Sequence, residues 1–213
     1  MLWGFGDSFT FGHGCRADGP LLEYYNKYKK EGDKIWLDWL GYWFNEDVKN
    51  ISECGASNDK IYDFILKNIS QIKKDDKVII GATIWDRKDI CYNGEWVSLL
   101  SFTERLGRKI LLNHPYDLLD EHQKTLMNFQ YFFSDINLWE AKWRLRYDFL
   151  IKILRDKDCN VQFFQIREEF LQGIERISRV SEFEDPHFSF DGNKEFAKIM
   201  HKRLSKTLST SLI

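Results

Sequence analysis

Residues 1–14 read M-L-W-G-F-G-D-S-F-T-F-G-H-G. Residues 2–6 form a short apolar run, which Asp7-Ser8 breaks abruptly before a polar, glycine-bearing loop that extends to about Pro20. A continuous apolar run, without alternation, is the form of a strand buried on both faces of a parallel sheet. A serine directly after such a strand lies on the rim where open parallel sheets bind ligands. Taken alone, the same dipeptide also fits a plain turn, because Asp and Ser readily cap loops. The rest of the chain has to separate these readings.

Strand and helix patterns alternate from there on. Ile35, Trp36, Leu40, Trp43 and Phe44 recur at helical spacing, with Asp33 placed to cap the start. Residues 48–52 form a second strand. Residues 57–73 form a helix with Ile61, Ile65, Ile69 and Ile72 on one stripe and Ser57 as its N-cap. Residues 77–82, containing V-I-I-G-A, form a third, buried strand. The Asn93-Gly94 pair predicts a hairpin over residues 90–98. Residues 102–137 carry Pro115 and no clean period, and read as a poorly patterned helical insertion. A helix over residues 138–155 places Trp139, Trp143, Tyr147, Leu150 and Leu154 on one side, and N-V-Q-F-F-Q-I (160–166) is a fourth strand. A helix over residues 193–204 carries Phe196, Ile199, Met200 and Leu204. Strands alternating with helices imply one three-layer α/β/α domain over residues 1–213, built on a mainly parallel sheet.

Composition narrows the class. The 213 residues are 43% hydrophobic and 16% aromatic, enough for a packed core. With 31 basic and 33 acidic residues, the net charge of -2 points to neither nucleic acid nor an anionic membrane surface as partner. No signal peptide and no run of the ~18 apolar residues that span a bilayer is evident, so a cytoplasmic setting is expected. Cys15, Cys54, Cys91 and Cys159 are scattered and predict reduced thiols. His114, His122 and His201 fit no ligand spacing, so neither metal nor cofactor is expected. Gly4-Phe5-Gly6 opens like a dinucleotide fingerprint, but Phe9 occupies the third glycine position. The tryptophan clusters at 36–43 and 139–143 have helical spacing and read as core.

Four strand ends meet on one rim: Asp7-Ser8, Gly55, residues 83–87, and E-D-P-H-F-S-F-D-G at 184–192. That rim can gather a serine, a histidine, a carboxylate and a glycine turn. A nucleophilic serine needs such a set: a base, a group that fixes the base's tautomer, and donors for the oxyanion.

The blocks G-D-S-F-T-F-G, I-S-E-C-G-A-S-N-D-K-I and D-P-H-F-S-F-D-G-N-K-E-F-A together resemble the SGNH/GDSL hydrolase family, in that family's order and across residues 6–197. The resemblance implies a nucleophile at Ser8, a general base at His187 and an orienting acid at Asp185. Glu184, three residues before the histidine, occupies the more usual acid position. Oxyanion donors would be the backbone N–H groups of Ser8 and Gly55. The third block departs from the pattern, since V-I-I-G-A-T-I-W-D-R places Thr83 where a G-x-N asparagine is usual. Asn58 and Arg87 are possible stand-ins, and Arg87 also suits a substrate carboxylate or sugar. Asp7 reads as structural, and His13 as a loop histidine. The implied activity is hydrolysis of a short, acetyl-type ester, carried by a carbohydrate or other small molecule. Acyl transfer by the same acyl-enzyme is one alternative. A non-catalytic binding or structural protein that keeps the fold is the other, motivated by Thr83 and the 102–137 insertion.

Overall fold

The computed structural model describes residues 1–18, 21–84, 87, 89–92, 95–98, 136–165, 174 and 187–210. Its elements run β1 (Leu2–Gly6), α1 (Ser8–Phe11), α2 (Leu22–Tyr28), α3 (Trp36–Phe44), β2 (Val48–Ser52), α4 (Asn58–Asn68), β3 (Lys77–Ala82), β4 (Asp89–Tyr92), β5 (Glu95–Ser98), α5 (Ile136–Asp156), β6 (Asn160–Gln165) and α6 (Phe190–Thr210). Strands β2-β1-β3-β6 form one sheet, parallel throughout, and β4-β5 form a separate antiparallel pair.

The sheet divides the core into two layers. Leu2 and Ile79 face one side with Trp36, Leu37 and Leu40 of α3 and Phe196, Met200 and Leu204 of α6. Trp3, Phe5, Val78 and Ile80 face the other, with Ile61 and Ile65 of α4 and Trp143, Tyr147, Leu150 and Leu154 of α5. This segregation follows from the two-residue period of a strand. Every residue of β1 and β3 is buried, as their unbroken apolar runs require. The architecture is therefore the three-layer α/β/α expected from the alternation of elements.

Local expectations differ at several points. Ser57 does cap α4, its side chain accepting from the Lys60 N–H, but that helix ends at Asn68. Ile72 lies beyond it and is still buried. Asp33 does not cap α3. Its carboxylate accepts from the Lys30 N–H, while the Asn193 side chain from α6 takes the Trp36 N–H at 2.9 Å. A partner from the far end of the chain thus does the work assigned to a local one. α6 begins before residue 193, because Ser189 Oγ accepts the Gly192 N–H at 3.0 Å and carries the first turn through the glycine. α1 occupies part of the stretch read as loop, and α2 follows that stretch. The Asn93-Gly94 turn and residues 102–135 lie outside the described residues. Among the described residues no helix is long and apolar enough to cross a membrane.

The chain passes from β1 outward to β2 and then crosses to β3 on the other side of β1. Strand order therefore reverses between β1 and β3, and ligands of such sheets bind beyond the strand ends at that reversal. Gly6 and Gly81 flank it. A Cβ on Gly6 would lie 2.1 Å from Thr10 Oγ1, and one on Gly81 would lie 2.7 Å from the same atom and 2.5 Å from Phe164 Cζ. The Gly81→Ala substitution should overpack this junction. Stability should fall by about 1–3 kcal/mol, read as a lower urea midpoint at unchanged slope.

Candidate active site

Ser8 is the first residue of α1 and sits directly past β1. Asp7 makes the turn: in extended backbone, it caps α1 through Oδ1, which accepts from the Phe9 N–H at 3.1 Å. Gly12 closes the four-residue helix at φ 85°, a left-handed conformation that suits glycine. So short a helix is not stable by itself. It is held by Thr10 against the two glycines, by the Asn50 amide donating to Thr10 O, and by the Trp36 indole donating to Phe9 O.

The strand registers bring the other strand ends alongside. β1 pairs with β3 through Phe5↔Ile80, and past the strand ends the Thr83 side chain hydrogen-bonds Asp7, the residue before Ser8. β1 pairs with β2 through Gly6↔Ser52, and the Glu53 N–H still donates to Gly6 O, which brings Gly55 to the same rim. Gly55 is exposed, at φ 83°, with open space around it. Among the described residues, neither the Ser8 nor the Gly55 N–H donates to another group.

His187 reaches the site from the start of the last helical segment. Its Nε2 lies 2.7 Å from Ser8 Oγ. The imidazole is held between rings, with Phe9 at 4.6 Å and His13 at 4.2 Å between centroids. Ser8 is 8% exposed, so the pair is sheltered but accessible. The structure thus brings Ser8, His187, Thr83 and Gly55 to one rim. Asp185 and Glu184 lie outside the described residues.

Asn58 and Thr83 have other engagements. Asn58 is fully buried. Its Oδ1 accepts from the Thr83 N–H at 3.1 Å and the Tyr147 hydroxyl at 3.0 Å, and its Nδ2 faces the carbonyls of Ile84 (3.2 Å) and Thr83 (3.4 Å). It fastens the end of β3 to α4 and α5, and its amide is committed to carbonyls instead of facing an oxyanion. Burial raises the Tyr147 phenol well above its ordinary value, with Asp59 and Asp7 adding to the effect, so it stays a donor. The Thr83 side chain is 1% exposed, and its Oγ1 accepts from Arg87 Nη1 at 3.2 Å.

Arg87 Nη1 also stands 3.6 Å from Asp7 Oδ2. Burial pushes the Asp7 carboxyl above its ordinary value, opposed by the Thr83 side chain, the Arg87 guanidinium, the Phe9 N–H and His187. Asp7, Thr83 and Arg87 are therefore one polar cluster next to Ser8.

Sequence reading did not find the His13 contacts. Besides its tilted ring contact with His187, His13 has Nδ1 3.5 Å from Cys54 Sγ, an arrangement that resembles a reactive thiol and its base. The electrostatics oppose that role, since burial and the carboxylates of Asp7 and Glu53 push the Cys54 thiol up to about 11. A glycine-flanked histidine one turn past a serine is the only sequence signal for it. His201 packs on Phe44 and Trp43. Among the described residues no group of His, Cys, Asp and Glu is placed to hold a metal ion.

No family model matches the chain, and no curated protein matches it. Among solved structures, a protein assigned to the lipolytic G-D-S-L family from Desulfitobacterium hafniense DCB-2 aligns over 95% of this chain and 98% of its own, at 18% identity and a TM-score of 0.39. A likeness of that size carries no inference, and the fold and site stand on this chain's own geometry.

A thiol at about 11 is a poor nucleophile at neutral pH. Cys54 should therefore react with iodoacetamide at pH 8 roughly 100-fold more slowly than an ordinary exposed cysteine, whose value is near 8.5. Time-resolved peptide mapping gives this rate, and alkylation as fast as that of a model thiol would contradict the assigned environment.

Proposed function

We propose that the chain is a serine esterase acting on short-chain, acetyl-type esters. The observation that carries this reading is the 2.7 Å contact between His187 Nε2 and Ser8 Oγ. That distance lies within the range over which a histidine can take a serine's proton.

In the proposed reaction Ser8 Oγ attacks the acyl carbonyl as its proton passes to His187 Nε2. The carbonyl oxygen becomes an oxyanion facing the Ser8 and Gly55 N–H groups. Collapse of this tetrahedral species breaks the bond to the alcohol oxygen, and His187 returns the proton to the departing alcohol. A water molecule, deprotonated by the same histidine, then releases the acid and restores Ser8. Asp185 would hold the His187 ring in the tautomer that keeps Nε2 free to accept, with Glu184 the alternative acid. The Phe9 and His13 rings against His187 support the same reading by fixing the plane of the imidazole.

The near-neutral, aromatic-rich composition suits a carbohydrate or other small polar ester better than a long-chain lipid. A sugar hydroxyl in place of water would make the same acyl-enzyme a transferase. One observation favours a non-catalytic binding protein instead: Thr83, at the third donor position, has its hydroxyl engaged by Arg87.

Turnover of a chromogenic acetyl ester should be measurable in the native chain. It should fall at least about 1000-fold in both Ser8→Ala and His187→Ala, in line with other serine hydrolases. A fluorophosphonate should label Ser8 in the native chain only. Turnover that survives in either variant would sink the assignment of nucleophile and base. No turnover and no labelling in the native chain would favour the binding protein.

A further inference from the structure

A developing oxyanion is stabilised by donors aimed at it, and the strand ends here supply two unengaged backbone N–H groups, those of Ser8 and Gly55. The two other polar side chains at the rim are spoken for. Asn58 gives its amide to the Thr83 and Ile84 carbonyls, and the Thr83 hydroxyl accepts from Arg87 and gives its proton to the Asp7 carboxyl. One group in the cluster has donors to spare. A guanidinium carries five N–H bonds, and among the described residues Arg87 uses Nη1 on Thr83, while its Nε is buried without an acceptor. Its side chain is 20% exposed, so part of it reaches solvent.

Charge points the same way. Ser8 follows a buried carboxylate, since the Asp7 side chain is only 4% exposed. A negative charge forming on the substrate in this poorly solvated setting needs a nearby cation. Arg87, 3.6 Å from Asp7 Oδ2, is the cation that offsets it.

From this placement we infer that Arg87 is a catalytic residue, whose guanidinium donates to the substrate oxyanion alongside the Ser8 and Gly55 N–H groups. Thr83 orients the guanidinium instead of donating itself. This rests on the esterase reading. The step balances without a further reactant: electrons of the carbonyl π bond move to oxygen as the Ser8 Oγ–C bond forms, the serine proton goes to His187, and Arg87 keeps all its protons. A fixed guanidinium is always charged, so it needs no proton of its own to act.

The test is steady-state kinetics of Arg87→Met and Arg87→Lys on a chromogenic acetyl ester, with fluorophosphonate labelling rates measured in parallel. Arg87→Met should lower kcat about 100- to 1000-fold, with KM changed less than about threefold, and slow labelling to a similar degree. Arg87→Lys should recover part of kcat, because the charge returns without the planar fork. Added methylguanidinium should partly restore Arg87→Met, which a purely structural role would not allow.

If Arg87 were only the counter-ion of Asp7, removing that carboxylate would remove the need for it. The Asp7→Asn chain keeps the helix cap, because Asn caps as well as Asp. Adding Arg87→Met to Asp7→Asn should still lower kcat about 100-fold, whereas equal kcat in the two chains overturns the inference. So does a native kcat in Arg87→Met, which leaves the esterase reading intact. Failure of both Arg87→Met and the double variant to fold, judged by circular dichroism, assigns Arg87 to structure and also overturns it. Absence of turnover and labelling in the native chain overturns the inference together with the reading beneath it.

Discussion

Thr10 occupies space that two missing Cβ atoms leave open, one on Gly6 and one on Gly81. Much of the site depends on this close approach. It lets a four-residue helix fold back onto the ends of β1 and β3, and the first residue of that helix is Ser8. Any side chain at either glycine would lift α1 and carry the serine away from His187. The same junction is braced from both layers. Asn50 and Trp36 hold the α1 carbonyls on one face, and Asn58 fastens Thr83 to α4 and α5 on the other. Serine placement is thus set by backbone proximity and buried amides more than by any contact of the serine itself.

Much of the fold was legible from period alone. The run L-W-G-F-G, and V-I-I-G-A within β3, are apolar because their strands are covered on both faces, and that signal survives without any tertiary information. The stripe Trp143, Tyr147, Leu150 and Leu154 likewise announced α5. Short and capped features were harder to read. α1 has too few residues to carry a helical period, and its existence depends on Thr10 meeting glycines on two different strands. α3 looked locally capped by Asp33, but the partner of its first N–H is Asn193, and no local rule links residues so far apart in the chain. The last helix read as starting at residue 193, and Ser189 moves its start earlier by accepting the Gly192 N–H.

At the site, the motif residues stood out because serine, glycine and histidine followed strand ends in order. Their second layer did not. Asn58 looked like a spare amide near the rim, and only its burial against two carbonyls and a tyrosine hydroxyl reveals a fastener. His13 lies one short helix past Ser8, and its tilted ring contact with His187 arises from the α1 turn, which no sequence period encodes. Arg87 was visible as a cation near the rim, while its alignment on Thr83 and Asp7 is a property of the folded sheet.

Ser8 lies at the first strand end and His187 just before the last helix. Three of the sheet's four strands, β2, β3 and β6, are threaded between them, so the 2.7 Å contact forms only after both ends of the chain have docked on the same scaffold. The contact is therefore a reporter of complete assembly. A nascent chain carries Ser8 early but holds it without its histidine until the final segment arrives, and the pairing of the two residues is set by topology.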